Sequence, residues 1–477
     1  MAFKPIINLF SVLVMLFSIS LLAPLAISFL FQDGVGHIFL TTLIAAFAPA
    51  LLAWSITRNS KKEMGIKDGF IIITLFWVVL SLVGSMPFVL SGMSFIDSFF
   101  ESMSGITTTG ATVISGLDSL PESILFYRQM LQWMGGMGLI VLAIAVMPLL
   151  GIGGGQLFKT EIPGALNDQK LTPRIKETAQ ALWLIYLTLT IACAALYYLA
   201  GMSAFDAISH SLSTVSIGGF STHDESIGFF NSLSIELICI VFMLLSAFSY
   251  ALHYFAIYKR KPLKYFQDAE LRFFVSILLL IFILSIIFCY LLGFDGASIR
   301  QILFQSVSIV TTTGFVSTDY SSWPTVITFL FLVGAFIGAC SGSVGGGIKS
   351  WRVLIMINHA KINIMRLVHP NAVVSLKIGS KAVDDKVAES VWGFFSIYII
   401  SFMLLLLSLL ATGMDFESAF SAIGACLNNL GPGLGSVSET YSSVPDFGKG
   451  VLAFAMILGR LEIFTLLVLF TTVFWDK

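Results

Sequence analysis

Of 477 residues, 57% are hydrophobic and only 11% are charged, against roughly 25% charged in ordinary soluble domains; a soluble chain of this length would divide into several cores with charged surfaces. The net charge of -1 gives no indication of nucleic acid, and the five cysteines (Cys193, Cys239, Cys289, Cys340, Cys426) all lie in apolar segments, so neither a disulfide framework nor a CxxC metal spacing is present. The balance is that of a polytopic membrane protein.

In chain order, runs long enough to cross a hydrocarbon core of about 30 Å, which takes about 20 helical residues, fall near 6–31, 38–57, 69–90, 125–149, 181–200, 233–257, 273–293, 325–357, 391–411 and 449–475. The first follows one lysine, Lys4, and exceeds the roughly 7–15 residues of a signal-peptide core, so it reads as a retained transmembrane helix. Between the third and fourth, fifth and sixth, seventh and eighth, and ninth and tenth runs lie stretches rich in Gly, Ser and Thr, too short and too polar to span. Lys and Arg accumulate in cytoplasmic loops. With the N-terminus inside, those loops hold Arg58, Lys61, Lys62 and Lys67; Lys159, Lys170, Arg174 and Lys176; Lys259, Arg260, Lys261, Lys264 and Arg272; and the run from Lys349 to Lys386. The opposite side keeps Arg128, Arg300 and Lys449. Both termini are therefore expected in the cytoplasm, with the four short stretches entering from outside.

The short stretches are internal repeats. Ser91-Gly-Met-Ser-Phe-Ile-Asp97 falls on Ala200-Gly-Met-Ser-Ala-Phe-Asp206, a shift of 109 residues. The same register puts Thr107-Thr-Thr-Gly110 on Ser216-Ile-Gly-Gly219; shifts of 204 and 321 add Thr311-Thr-Thr-Gly314 and Asn428-Asn-Leu-Gly431. One glycine column, Gly110, Gly219, Gly314 and Gly431, is common to all four. The expected fold is an all-α integral membrane protein in which two N-terminal helices (1–60) precede four helix, pore-loop, helix repeats (61–157, 158–260, 261–370 and 371–477) around a pseudo-fourfold cation pore.

Non-helical backbone at membrane depth must be buried in protein or line a watered cavity, and four such loops entering from one side meet around a shared axis. Glycine there allows carbonyls to point inward and replace the hydration shell of a monovalent cation. The blocks 107–112, 216–221, 311–316 and 428–433 contain no Asp, Glu, Lys or Arg, so selectivity comes from carbonyls and hydroxyls, not from a charged ring. The short helices aim their negative C-terminal ends at the pathway, favouring a cation. A single such stretch reads equally well as an external turn; four in register, each flanked by spanning helices, argue against that. Because one glycine column alone is common, fewer tight ion sites are expected than in a ring of identical loops.

Thr107-Thr-Thr-Gly-Ala-Thr112, Ser216-Ile-Gly-Gly-Phe-Ser221, Thr311-Thr-Thr-Gly-Phe-Val-Ser317 and Asn428-Asn-Leu-Gly-Pro-Gly433 resemble the four filter loops of the Trk/Ktr/HKT superfamily of potassium transporters, and Gln132-Trp-Met-Gly-Gly-Met-Gly138 resembles the start of the second helix of their first repeat. The two extra helices over about 5–58 match the bacterial Trk membrane subunit better than the shorter Ktr subunit. The resemblance covers the whole chain. It implies potassium uptake across the inner membrane, a homodimer with one pore per subunit, and gating by a cytosolic NAD/ATP-binding regulatory protein of the TrkA type. The implied filter is Thr107, Thr108, Thr109, Gly110, Ser216, Ile217, Gly218, Gly219, Thr311, Thr312, Thr313, Gly314, Asn428, Asn429, Leu430 and Gly431. Potassium ions are expected at Thr108, Thr109, Ile217, Gly218, Thr312, Thr313, Asn429 and Leu430, with no covalent cofactor. In plant relatives serine at the first glycine column is associated with sodium transport; Gly110 favours potassium. Repeats two and four depart from Thr-Thr-Thr-Gly, so hydroxyl sites do not carry over there.

The eighth run contains Gly338-Ala-Cys-Ser-Gly-Ser-Val-Gly-Gly-Gly347. Each interior glycine costs about 1 kcal/mol relative to alanine, so the helix is expected to unwind through Gly345, Gly346 and Gly347. This is either a kink filled by neighbours or a barrier in the pore; the resemblance favours a gate formed by Cys340, Ser341, Gly342, Ser343 and the three glycines. Arg460, read as lying well inside the tenth run, is a functional candidate because an unpaired intramembrane arginine is costly. It is expected to face the pore and bond carbonyls of 339–347, the alternative being a structural ion pair away from the axis. Glu462, about 200° further round a helix, is expected to face elsewhere.

Gly342-Ser-Val-Gly-Gly-Gly-Ile-Lys349-Ser350 loosely resembles a phosphate-binding loop, but Ile348 interrupts the required Gly-Lys-Ser. The histidines form no HExxH pair or cluster in sequence. Asp97 and Asp206 suit the N-terminal dipoles of the short helices, or concentrate cations at the mouth. The basic stretch 351–387 satisfies topology, touches anionic lipid, or with 151–178 docks a regulator. Three functions compete: a gated channel; an ion-coupled symporter, whose midplane sites usually accompany inverted repeats rather than four parallel ones; and a membrane enzyme, for which no metal-ligand or nucleophile constellation is present.

Overall fold

The computed structural model describes residues 3–59, 65–146, 175–371, 374–379 and 381–476. Lys61, Lys62, Lys159, Lys170 and Arg174, the 157/158 junction, the end of the fourth run and most of the stretch 151–178 lie outside the described residues.

Four short helices of 12 residues each recur: Phe95–Ile106, Ala204–Val215, Ile299–Val310 and Phe416–Leu427. Their first residues are offset by 109, 204 and 321, as in the sequence alignment. Each begins at a side-chain cap, Ser94, Ser203, Ser298 or Asp415, whose oxygen accepts the N–H of the third helical residue at 3.2, 3.0, 3.3 or 2.9 Å. Ser and Asp at this position satisfy an otherwise orphaned amide, which fixes where these helices start. Asp97 and Asp206 stand at the third position of theirs, as dipole-complementing carboxylates.

Among the described residues, six helices are long and apolar enough to cross a membrane: Phe3–Phe31, Gly36–Thr57, Lys67–Leu90, Ala179–Leu199, Ala269–Leu291 and Asp385–Leu410. Two further runs are bent. Leu233–Ala247 and Tyr250–Ile257 meet at 97°, and Asp446–Arg460 meets Phe464–Phe470 at 108°; straight crossings were expected at both places. The fourth run is the helix Glu122–Val146. The eighth is broken into Thr325–Ile337 and Ser350–Val368. The chain is an all-α multi-pass membrane protein whose strands, among the described residues, are one hairpin pairing Lys377 with Ala382 and Ile378 with Lys381.

Besides a small cluster joining Ile355 and Ile362 to Leu376, Ala388 and Val391, two larger cores hold the repeats together. One gathers the N-terminal helices with repeats one and four, through side chains such as Phe17, Phe39, Tyr127, Phe402 and Met456. The other joins repeats two and three through Tyr197, Met243, Phe274, Phe304 and Phe331. The N-terminal helices sit against repeat one, where Phe39 meets Tyr127 edge-on at 5.5 Å and the Tyr127 hydroxyl donates to the Gly84 carbonyl at 2.7 Å.

Candidate functional site: four loops on one axis and the glycine loop beneath

All four short helices end in the same backbone motif although their sequences differ. Thr108, Ile217, Thr312 and Asn429 have φ of 56, 53, 64 and 51°. Each donates its N–H three residues back, to the carbonyls of Gly105, Thr214, Ile309 and Cys426. The next residue, Thr109, Gly218, Thr313 or Leu430, donates five back, at 2.8–2.9 Å. This is a Schellman cap, in which glycine normally takes the left-handed position; here β-branched Thr and Ile take it in three loops out of four. A β-branched residue in that region is an outlier, and such outliers persist where surrounding structure over-determines them. This column was not foreseen from the sequence, because the propensities of Thr and Ile point the other way.

The glycine column closes a ring. Gly110, Gly219, Gly314 and Gly431 all have left-handed φ, from 79 to 102°. A Cβ on Gly110 would lie 2.1 Å from the Gly218 carbonyl oxygen, on Gly219 2.1 Å from that of Thr313, on Gly314 2.1 Å from that of Leu430, and on Gly431 2.7 Å from that of Thr109. Each loop therefore abuts the next in the order one, two, three, four, one, and the four glycines surround a single centre. Glycine is needed twice over, for its backbone angle and for the close approach of a neighbouring carbonyl.

Hydroxyls and amides tie the ring internally. Thr107 and Thr109 share a hydrogen bond at 2.8 Å, and Thr311 and Thr313 one at 2.7 Å. Asn429 Nδ2 donates to Thr109 Oγ1 at 3.0 Å, and the Tyr398 hydroxyl to Asn428 Oδ1 at 2.8 Å. Behind loops one and two lies a wholly buried ion pair, Arg128 Nε to Glu101 Oε1 at 2.8 Å. The same guanidinium donates to Ser221 O and Thr112 Oγ1 and covers the Phe220 ring at 4.3 Å. Gln132 donates to Gly218 O at 2.5 Å and accepts the Phe220 N–H at 3.1 Å. Neither the buried pair nor the bonds of Gln132 was legible in the sequence; the glycines Gly135 and Gly136 beside Gln132 were the available signal that this helix approaches a backbone closely.

On the face beyond the ring, His223 lies between Asp118 Oδ1 at 2.5 Å and Asp206 Oδ1 at 3.4 Å, stacked on Phe229 at 3.5 Å. Burial works against its charge, but the bonds to Asp206 and Asp118 outweigh that and raise its pKa. The bond from His223 in turn lowers that of Asp118.

On the opposite side of the ring the expected unwinding is present: residues 338–349 are irregular, with Gly338, Gly342 and Gly347 at φ of 71, 73 and 82° and Lys349 at 80°. The loop touches two of the four loops directly. Gly346 N–H donates to Thr312 Oγ1 at 2.7 Å and Gly347 N–H to Asn428 O at 3.2 Å. It is also held from repeat two, where the bend at Phe248–Ser249 frees backbone groups: Cys340 N–H donates to Ala247 O at 3.1 Å and Tyr250 N–H to Gly342 O at 3.0 Å. Ser341 N–H donates to the buried carboxylate of Glu270 at 2.5 Å, and Ser343 Oγ to Cys340 O at 2.6 Å.

Three cations converge on the carbonyls of this loop. Arg460 donates to Val344 O and to Gly135 O, each at 2.9 Å, and lies 5.2 Å from the Trp77 ring. Lys349 Nζ donates to Gly345 O, and Arg352 to Ile348 O at 3.1 Å. The position of Arg460 differs from the sequence reading: it is the last residue of its helix, at the bend, not well inside a crossing. Glu462 also differs. With the helix ended and Glu462 and Ile463 at φ of 53 and 57°, the 200° of a continuous helix no longer applies. Glu462 pairs with Arg352 and lines the same cavity as Arg460, Lys349, Asn429 and the three glycines.

The family described as a cation transport protein of the TrkH type matches residues 36–476. A "Trk system potassium uptake protein TrkH" of Halomonas elongata is 50% identical, and one of Escherichia coli K12 is 47% identical, with all of both chains covered in each case. The crystal structure of the potassium transporter TrkH from Vibrio parahaemolyticus superimposes with a TM-score of 0.91 at 48% identity, again over all of both chains. Matched by the family over 36–476 and similar to these proteins at this level of identity over all of its length, the chain belongs to the TrkH family of cation transport proteins.

Proposed function

We propose that this chain takes up potassium across the bacterial inner membrane, both termini cytoplasmic, through the axis of the four-loop ring. The observation that carries this is the closed cycle of glycine-to-carbonyl contacts, which joins four loops that contain no ionisable side chain; in this reading the main-chain oxygens of those loops face the ion. The named relatives are potassium uptake proteins, and loops of this chemistry suit a dehydrated alkali ion. The ion sites are assigned to Thr108, Thr109, Ile217, Gly218, Thr312, Thr313, Asn429 and Leu430. The C-terminal ends of the four short helices add negative potential around them.

Residues 338–349 are the gate in this reading. The guanidiniums of Arg460 and Arg352 and the ammonium of Lys349 hold loop carbonyls that would otherwise face a passing cation, and their charge repels one. Opening requires the loop to leave those donors together with Thr312 and Asn428. A cytosolic NAD/ATP-binding protein of the TrkA type, acting on a homodimer of this chain, supplies that displacement. Basic residues of 351–387 are assigned to its docking or to anionic lipid.

The test is flux in proteoliposomes of the purified chain. Potassium uptake that persists when the proton and sodium gradients are collapsed is expected of a channel. Uptake that falls to background with either gradient replaces this reading with coupled symport, and absence of any potassium uptake overturns it.

A further inference from the structure

The second loop lacks a side chain that the others carry. The residue following the left-handed position is Thr109, Thr313 or Leu430 in loops one, three and four, and Gly218 in loop two. In loops one and three the hydroxyl of that threonine bonds the hydroxyl two residues earlier. Gly218 is not at a left-handed φ, so its backbone makes no demand for glycine. Space makes the demand. A Cβ built there would have as its three nearest atoms Cδ, Oε1 and Nε2 of Gln132, at 2.3, 2.4 and 2.8 Å.

Gln132 comes from a different repeat, on the helix Glu122–Val146, and is wholly buried. Its carboxamide turns both its nitrogen and its oxygen to one loop, donating to Gly218 O at 2.5 Å and accepting from Phe220 N–H at 3.1 Å. One donor and one acceptor partner fix which way the amide points. One turn earlier, Gln129 Nε2 donates to Phe220 O at 3.3 Å. The carbonyl held by Gln132 is the one against which Gly110 packs.

We propose that Gln132 is a selectivity-determining positioning residue, a side chain lent by repeat one to loop two. Resting on the reading of the ring as an ion filter, this has two physical consequences. The amide fixes the peptide planes on both sides of Gly219. It also occupies one of the two lone pairs of the Gly218 carbonyl, so that oxygen presents a weaker field to an ion than its three counterparts. Discrimination between alkali ions depends on the number and field strength of the coordinating carbonyls. A weaker, fixed oxygen favours the larger and less strongly hydrated potassium; releasing it favours sodium.

The test measures uptake of radiolabelled rubidium and sodium by proteoliposomes of wild type, Gln132→Leu, Gly218→Thr and the double variant Gln132→Ala/Gly218→Thr, with the folded yield of each. Gln132→Leu keeps bulk and loses both bonds; its sodium-to-rubidium ratio is expected to rise about fivefold, the scale of one net hydrogen bond. Gly218→Thr alone is expected to lose folded protein or flux. The double variant is expected to regain both, because removing the carboxamide vacates the slot and Thr at 218 meets the Ser216 hydroxyl as Thr109 meets Thr107. A wild-type ratio in Gln132→Leu overturns the proposal, as does wild-type behaviour of Gly218→Thr. If Gln132→Leu does not accumulate, the double variant decides: recovery of flux supports the shared slot, and failure to improve on Gly218→Thr overturns it. Wild-type protein that carries neither ion sinks the filter reading itself, a result distinct from a selective wild type with an unaltered Gln132→Leu.

Discussion

Thr108, Ile217, Thr312 and Asn429 adopt a left-handed backbone that β-branched side chains resist, and the glycines two residues on adopt one that only glycine tolerates easily. In three of the four loops the first column was invisible in sequence because the local preference of Thr and Ile contradicts it, Asn429 being the residue that tolerates it; the second was visible because glycine is the residue such a site demands. The two columns also differ in what substitution does. Alanine at Gly314 meets both a left-handed φ of 82° and an oxygen 2.1 Å away, and alanine at Gly431 meets a φ of 102° but a nearest oxygen at 2.7 Å. The left-handed angle costs roughly 1–2 kcal/mol for a side chain, while overpacking adds typically about 1–3 kcal/mol. Gly314→Ala, Gly219→Ala and Gly110→Ala are therefore expected to abolish rescue of a potassium-uptake-deficient bacterium on low potassium. Gly431→Ala is expected to retain the most. Equal loss at all four positions, measured at matched protein levels, would show that backbone angle alone sets the outcome. Arg460 is a second residue-scale case. Its guanidinium reaches carbonyls on two elements, Val344 and Gly135, and charge-assisted bonds are worth about 1.5–3 kcal/mol each. Arg460→Ala is expected to raise flux without the regulatory partner by about tenfold or more, read in proteoliposomes; Arg460→Lys, with one ammonium for two sites, is expected to fall between.

Helix breaks were legible only where the sequence itself opposes helix. Gly345-Gly-Gly347 announces one. The bends at Phe248–Ser249 and after Arg460 contain neither proline nor glycine between 246 and 251 or at 460–463, so periodicity reads straight through them. Those bends are stabilised by partners from other elements, which hydropathy does not encode. The bend in repeat two is matched to the glycine loop: it frees the Ala247 carbonyl and the Tyr250 amide, and these pair with Cys340 and Gly342. The helix Tyr250–Ile257, which leads to the basic residues Lys259, Arg260 and Lys261, is thereby latched to the loop. Tyr250 is the first residue of its helix, after Ser249 at φ −59° and ψ 126°. Proline is well suited to that position, and the preceding residue already has the extended angles proline requires. Tyr250→Pro removes the donor to Gly342 along with the ring; Tyr250→Ala removes the ring alone. Flux without the partner is expected to be about fivefold higher in Tyr250→Pro than in Tyr250→Ala, the scale of one net hydrogen bond. Equal flux in the two variants would mean that the latch does not hold the loop.

At the scale of the whole molecule, the repeats were legible as units but their interlocking was not. Composition and charge distribution account for the spanning helices, and one glycine column accounts for the register. The contacts that join one repeat to the next come from residues far apart in the chain: Arg128 to Ser221, Asn429 to Thr109, Tyr441 N–H to Thr112 O at 2.8 Å. His223 is another such junction, a residue of repeat two bridging Asp118 of repeat one and Asp206 of its own repeat, with buried His210 stacked 6.3 Å away as the other titratable ring. Because its pKa is raised in the folded protein, the protonated form is favoured by folding. The stability it contributes is complete below the unfolded value near 6.5 and disappears as pH rises through the higher folded value. The thermal unfolding midpoint of the purified protein is expected to fall over that upper window in the wild type. His223→Phe preserves an aromatic ring against Phe229 but has no proton to lose, so its midpoint is expected to start lower and to lack that step. Asp118→Asn removes one of the two carboxylates and is expected to shrink the step without abolishing it. A step of full size in His223→Phe would place the titrating group elsewhere and leave the two outer loops joined by bonds such as that from Gly116 N–H to Asp224 Oδ1 at 3.0 Å.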